Sequence, residues 1–227
     1  MIIQYWSDFS CPFCYIAEAR LMKALENLGI TEQCRLDFRS FRLNPAAKKV
    51  PSHPIFDSYA KRYGPDMAAM QIGRIEAMAA GEGLEFHYGT ALNSNTMDAH
   101  RLVKHIKSKD RKKADELIHC LYNAFFRDNL VFADHAVLED IATGIGIDAA
   151  DVDSVLNGKD YRADVEADEN VAHRYGVTAV PFFLVNGKYG IHGAVDVSEF
   201  EQVLKRAIDE EDAMDMTGSV CGPDGCH

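Results

Sequence analysis

No run of about 18 apolar residues occurs anywhere in the 227-residue sequence, so a membrane-spanning helix is not expected. The chain opens without a basic segment leading into an apolar stretch and enters a strand-like run at residue 2, from which a cytoplasmic location is expected. Positive charge is scarce. Twenty-four Lys and Arg stand against 35 Asp and Glu, a formal net charge of −11, and this balance argues against nucleic acid or an anionic membrane as partner. Glycine-rich phosphate loops, serine-centred elbows and nicotinamide fingerprints are missing, as are internal repeats and low-complexity tracts. Six cysteines are too few for a disulfide scaffold at this length, and in a reducing compartment they point to catalysis, redox sensing or metal.

What is present centres on Ser10-Cys11-Pro12-Phe13-Cys14. Before it, Met1-Ile2-Ile3-Gln4-Tyr5-Trp6 is too short for a helix and reads as a buried strand. After it, Cys14, Ala17, Leu21, Ala24, Leu25 and Leu28 recur at helical spacing until Gly29 stops the helix. Cys11 thus falls at the start of a helix, with Pro12 in the first turn where its missing N–H costs nothing. Unpaired N–H groups and the positive end of the dipole favour a thiolate there. Cysteines so placed in Cys-x-x-Cys pairs have pKa values lowered to roughly 3.5–7.5. Cys11 is therefore expected to attack and Cys14 to resolve.

A second strand is predicted from Arg35 to Phe41, followed by a loop through Pro51 and Pro54. From Ile55 to Tyr175 the period is helical, with pieces at Ile55–Tyr63, Met67–Ala80, Thr96–Lys107, Lys112–Phe126, Asp134–Thr143, Asp151–Leu156 and Tyr161–Tyr175. Such a block reads as a domain inserted into an α/β unit. The α/β pattern resumes with Phe182–Val185, an Asn186-Gly187 hairpin turn and Lys188–His192. A closing helix follows, with Asp196 as N-cap, Glu199 as capping-box acid, and Phe200, Val203, Leu204, Ala207 and Ile208 on its inner face.

Outside the motif, Cys34 and Cys120 fall on apolar faces and are expected to be small buried hydrophobes. Asp8 and Glu18 flank the redox pair, and solvated carboxylates are expected at both, with proton relay in resolution as the functional alternative. His105, His119 and His173 sit in helical patterns, with no spacing that suggests metal.

The chain resembles the DsbA-like thioredoxin-fold family, and within it the FrnE-type dithiol-disulfide isomerases. The matching residues are Ser7-Asp8-Phe9-Ser10-Cys11-Pro12-Phe13-Cys14-Tyr15, Asn95-Thr96-Met97-Asp98-Ala99-His100-Arg101-Leu102, and Gly176-Val177-Thr178-Ala179-Val180-Pro181-Phe182-Phe183. The resemblance implies an α/β thioredoxin fold over residues 1–50 and 176–210, an all-helical insertion over 51–175 and a C-terminal tail over 211–227. It also implies a cis peptide before Pro181, which would face the redox pair, and a substrate segment docked on the backbone of Val180. Pro12, Phe13 and His100 would line the same groove. The implied activity is thiol-disulfide exchange on protein or small-molecule substrates, with no bound cofactor and glutathione as redox partner.

Thr217-Gly218-Ser219 reads as a linker, and Cys221-Gly222-Pro223-Asp224-Gly225-Cys226 folds two cysteines toward each other across a type I turn. Some FrnE-type proteins carry a similar pair, so Cys221 and Cys226 are expected to be a second redox pair exchanging with Cys11 and Cys14. An inert local disulfide and a metal site with His227 are the alternatives. Two other functions stay open for the whole chain. One is a glutathione-dependent isomerase or transferase of the kappa and hydroxychromene-carboxylate type, whose members have serine in the place of Cys11. The other is a non-enzymatic metal-binding protein.

Overall fold

A computed structural model describes residues 1–51 and 53–218, the side chains of 212 and 214–218 excepted. Cys221 and Cys226 lie outside the described residues.

The apolar run at the start forms β1 (Ile2–Ser7), and α1 (Pro12–Leu28) follows. The ends of α1 are set locally. Cys11 is the extended N-cap, Pro12 sits in the first turn, and Gly29 at φ 67° donates its N–H back to the Glu26 and Leu25 carbonyls. β2 (Arg35–Ser40) is followed by α2 (Ile55–Tyr63), α3 (Pro65–Gly81), α4 (Met97–Lys109), α5 (Arg111–Phe126), α6 (His135–Gly144), α7 (Ala149–Asn157) and α8 (Arg162–Arg174). Three of these start on aspartate side chains: Asp110, Asp134 and Asp148 each accept a backbone N–H of the first turn. β3 (Phe182–Val185), β4 (Tyr189–His192) and α9 (Val197–Gly218) complete the chain. α9 runs further than expected, taking in Thr217 and Gly218, because no glycine or proline interrupts its acidic and alanine- or methionine-bearing stretch before residue 218.

The sheet has the order β2-β1-β3-β4, with β1 parallel to β2 and the other pairs antiparallel. Tyr5 stands opposite both Phe38 and Phe183, and Trp6 opposite Phe182. Because side chains alternate along a strand, these two sets feed different faces. On one, Tyr5 stacks on Phe183, whose ring meets Phe200 of α9 edge-on at 5.1 Å, while Asn27 of α1 bonds Glu201 of α9. On the other, the Trp6 indole donates to the Asp168 carbonyl of α8 at 2.9 Å. α8 falls within the stretch expected to be insertion, yet it covers the sheet.

α5 lies against the motif helix. Tyr122 stacks on Tyr15 at 4.6 Å and packs against Phe9 at 5.4 Å, and Phe126 joins Phe86 and Tyr15. The buried residues form one cluster running from the sheet into the inserted helices. Cys34 and Cys120, expected to be buried, are only half-buried, since each sits where its apolar face reaches the surface. Among the described residues, no helix is long and apolar enough to cross a membrane, and no group of three or more His, Cys, Asp or Glu is placed to hold a metal ion.

Candidate active site

The turn from β1 into α1 holds the two thiols. Cys11 donates its N–H to the Asp8 carbonyl at 3.0 Å, and Cys14 donates its own to the Cys11 carbonyl at 3.1 Å. Both are free thiols, 2% and 1% exposed. The peptide between Val180 and Pro181 is cis, and the Cys11 Sγ lies 3.5 Å from the Val180 carbonyl at the head of β3. Sequence positions 169 apart are thus brought together. Beside them a shallow cavity of about 140 Å³ is lined by Thr178, Ala179, Val180, Pro181 and His192. No backbone hydrogen bond among the described residues uses the N–H groups of Thr178, Ala179 or Val180.

The motif is asymmetric. Cys11 meets the open helix N-terminus with no side-chain cap competing for it. Cys14 sits one turn inside, where burial first and the neighbouring Cys11 second push its thiol well above the ordinary range; the Ser7 hydroxyl and the Asp8 backbone oppose this only in part. Between them Pro12 is buried, whereas Phe13 is 38% exposed and offers the apolar contact of the motif.

Asp8 is not solvated, as expected from the sequence, but 1% exposed. Its Oδ2 accepts from the Leu43 N–H at 2.8 Å and from the Ser10 hydroxyl at 3.1 Å, and its Oδ1 lies 3.4 Å from His100 Nε2. Burial alone would raise this carboxyl; the bonds and charge supplied by His100, with the Leu43 N–H, hold it below the usual carboxylate value instead. The side chain therefore ties the Cys11 turn to the segment after β2.

His100, expected to line the groove, is fully enclosed, with its ring 4.8 Å from Phe9 and 5.8 Å from Phe38. Its position on α4 turns it inward onto Asp8, so it supports the motif from behind. Glu18 is also buried rather than solvated, at 3% exposure. Burial and then the Asp115 charge push it up to about 8. The signal for this was in the sequence. Glu18 follows Cys14 by four residues and precedes Leu21 by three, which sets it on the inner stripe of α1. Ser7 and Tyr122, whose hydroxyls bond each other beside Cys14, had no such signal, because β1 and α5 meet only in the folded chain.

The family model for the DSBA-like thioredoxin domain matches residues 2–205. A probable DsbA oxidoreductase from Streptomyces coelicolor is 33% identical, with a TM-score of 0.86 over 100% of this chain and 98% of that one. A 2-hydroxychromene-2-carboxylate isomerase has a TM-score of 0.67 at 15% identity, covering 94% and 99%. The cytosolic disulfide reductase DsbM from Pseudomonas aeruginosa, solved with GSH, has a TM-score of 0.60 at 15% identity, covering 94% and 99%. These last two share the fold. On the family match and on its agreement with the cysteine pair, the cis proline and the strand order, this chain belongs to the DsbA-like thioredoxin domain family.

Proposed function

We propose that the protein is a cytoplasmic thiol-disulfide oxidoreductase in which Cys11 attacks and Cys14 resolves. The Cys11 thiolate attacks a substrate disulfide, forming a mixed disulfide and expelling one substrate thiolate. Cys14 then attacks the Cys11 sulfur, expelling the second thiolate and closing the Cys11–Cys14 bond, so two electrons pass to the substrate. Run backward, the same steps oxidise a dithiol. The unpaired N–H groups of residues 178–180 would dock an extended substrate segment by strand addition, with Phe13 as its apolar neighbour. Glutathione, the ligand named with the DsbM structure, is the proposed redox partner. In this reading residues 1–50 and 176–210 carry the chemistry and residues 51–175 support it.

The observation that supports this most is the Cys11 sulfur at a helix N-cap, 3.5 Å from the head of β3, with a second thiol one turn behind it. Reduction of insulin by glutathione, followed with and without the protein, tests it. Cys11→Ser should abolish the acceleration, and Cys14→Ser should accumulate a glutathione adduct on Cys11 detectable by mass spectrometry. Full activity in Cys11→Ser would end the proposal. The fold shared with the hydroxychromene-carboxylate isomerase supports a second reading, glutathione-dependent isomerisation; that activity would survive Cys14→Ser, which exchange would not.

A further inference from the structure

A second cavity, of about 290 Å³, shares no lining residue with the one beside Pro181. Residues of β1, α1, β2 and α5 supply most of its wall, and its size is close to the roughly 300 Å³ at which small-molecule sites begin. Met22, Leu25 and Leu36 give it apolar surface; Glu18, Asp115, Arg35 and Arg111 give it charge. Disulfide exchange as set out above uses none of them.

The charges are sorted along the cavity. Arg111, Asp115 and His119 follow one another at intervals of four on α5, so they stand on one face, with about 12 Å of helix between the first and the last. His119 Nε2 lies 3.6 Å from Glu18 Oε1, which sets Glu18 at the His119 end. Arg111 lies 3.8 Å from Asp37, and Asp37 shares a strand face with Arg35 two residues earlier. One end is thus acidic and the other basic. Neither end is paired off. The Glu18 side chain is 4% exposed, and its Oε2 is buried with no hydrogen-bond partner. Among the described residues, neither Asp115 nor Arg35 forms an ion pair or a side-chain hydrogen bond. A buried carboxyl oxygen without a partner is a cost that a donor entering the cavity removes.

We propose that this cavity binds a small linear zwitterion, its ammonium held by Glu18 and Asp115, its carboxylate by Arg35, and its carbon chain by Met22, Leu25 and Leu36. A lone carboxylate would meet two acids without compensation, and a lone amine would leave Arg35 unanswered. A molecule with both charges satisfies both ends. Six bonds of extended chain cover about 7 Å, at roughly 1.2 Å per bond, and the side chains lining the two ends span the remainder.

The state of Glu18 gives the site a signature. Burial, and then the Asp115 charge, push its value up to about 8, so it keeps a proton at neutral pH. Burial holds the phenols of Tyr5, Tyr15 and Tyr122 protonated and holds His119 below its usual range, so these groups facing Glu18 stay neutral there. An arriving ammonium converts the Glu18 carboxyl to a carboxylate, and the proton leaves for water.

The test is isothermal titration calorimetry of the full-length protein in its dithiol form with 6-aminohexanoate, hexylamine and hexanoate at pH 7. 6-Aminohexanoate should bind one to one, tenfold or more tighter than either of the others. Glu18→Gln should weaken it tenfold or more, and Arg35→Ala should bring it down to the level of hexylamine. Repeated in buffers of different ionisation enthalpy, wild-type binding should release close to one proton at pH 7 and little above pH 9. No binding by any of the three, equal binding of hexylamine, or binding unchanged in either variant overturns the proposal. Should Glu18→Gln not fold, the proton count decides: 6-aminohexanoate bound at pH 7 without proton release would place its ammonium away from Glu18 and end the assignment.

Discussion

Two carboxyl groups flank the thiols, are equally hidden from water, and are shifted in opposite directions, which is a difference of partners rather than of burial. Asp8 gathers the Leu43 N–H, the Ser10 hydroxyl and His100, and stays low. Glu18 has a neutral histidine and another acid, and rises to about 8. Their effects on stability therefore have opposite signs. For Asp8 the folded value is depressed, so its contribution is present above about pH 4, the unfolded value, and is lost as pH falls through the folded one. Asp8→Asn should cost about 2–3 kcal/mol in urea unfolding at pH 7, the scale of a buried charge-assisted cluster losing one partner, and progressively less as pH falls through the folded value. For Glu18 the folded value is raised, so the folded state keeps a proton that the unfolded chain has released, and stability falls as pH rises from about 4.5 to about 8. Glu18→Gln should therefore stabilise the protein above pH 8, by on the order of 3–5 kcal/mol at about 1.4 kcal/mol per unit, and change little below pH 4. A difference independent of pH would contradict the burial of an ionisable Glu18.

Among the elements, α8 decides whether the sheet has two covered faces, and it does so through one residue. The Asp168 carboxylate accepts from the Ser40 N–H at 2.8 Å and from Arg39 at 3.1 Å, meets Lys104 of α4, and its carbonyl takes the Trp6 indole. Removing it leaves the buried Ser40 N–H and the Lys104 ammonium without their partner, while Arg39 keeps Asp37 at 2.8 Å, so Asp168→Ala should cost about 3 kcal/mol and expose β2 amides to hydrogen exchange. Whatever was local in this architecture was legible beforehand. Gly29 at φ 67°, Pro12 in the first turn, and Asn186 and Gly187 at φ 50° and 69° are set by their own backbone chemistry, and their turns fall where the residues said. The redox pair was legible for the same reason. Buried acids were misjudged because an Asp or Glu on a helix is usually solvated, although Val165, Asp168 and Ala172 share the buried stripe of α8 just as Cys14, Glu18 and Leu21 share that of α1. Contacts between distant segments, such as Tyr15 on Tyr122 or His100 on Asp8, had no local signature at all.

At the scale of the molecule, the Cys11–Cys14 turn and the last described turns of α9 belong to opposite ends of the sheet. Cys11 lies four residues beyond the end of β1, while Glu211 of α9 bonds Asn186 and lies 4.0 Å from the Met1 amino group just ahead of its start. The six residues of β1 span about 20 Å. α9 then continues to Gly218, carrying the chain about 10 Å further from the thiols. From Gly218, Cys221 can reach at most about 11 Å and Cys226 about 29 Å, measured as fully extended chain. The span back to Cys11 is about 30 Å in a straight line through the protein and longer around it. For Cys221 to exchange with Cys11 of the same chain the end of α9 would have to unwind, and Cys226 would need an almost fully extended tail, whereas exchange with another copy needs neither. Replacing Cys221 and Cys226 by serine should therefore leave the first-order closure of the Cys11–Cys14 disulfide unchanged. Any contribution of the tail to turnover should grow with protein concentration. A first-order rate that drops in the double variant, independent of concentration, would mean that the tail reaches Cys11 of its own chain.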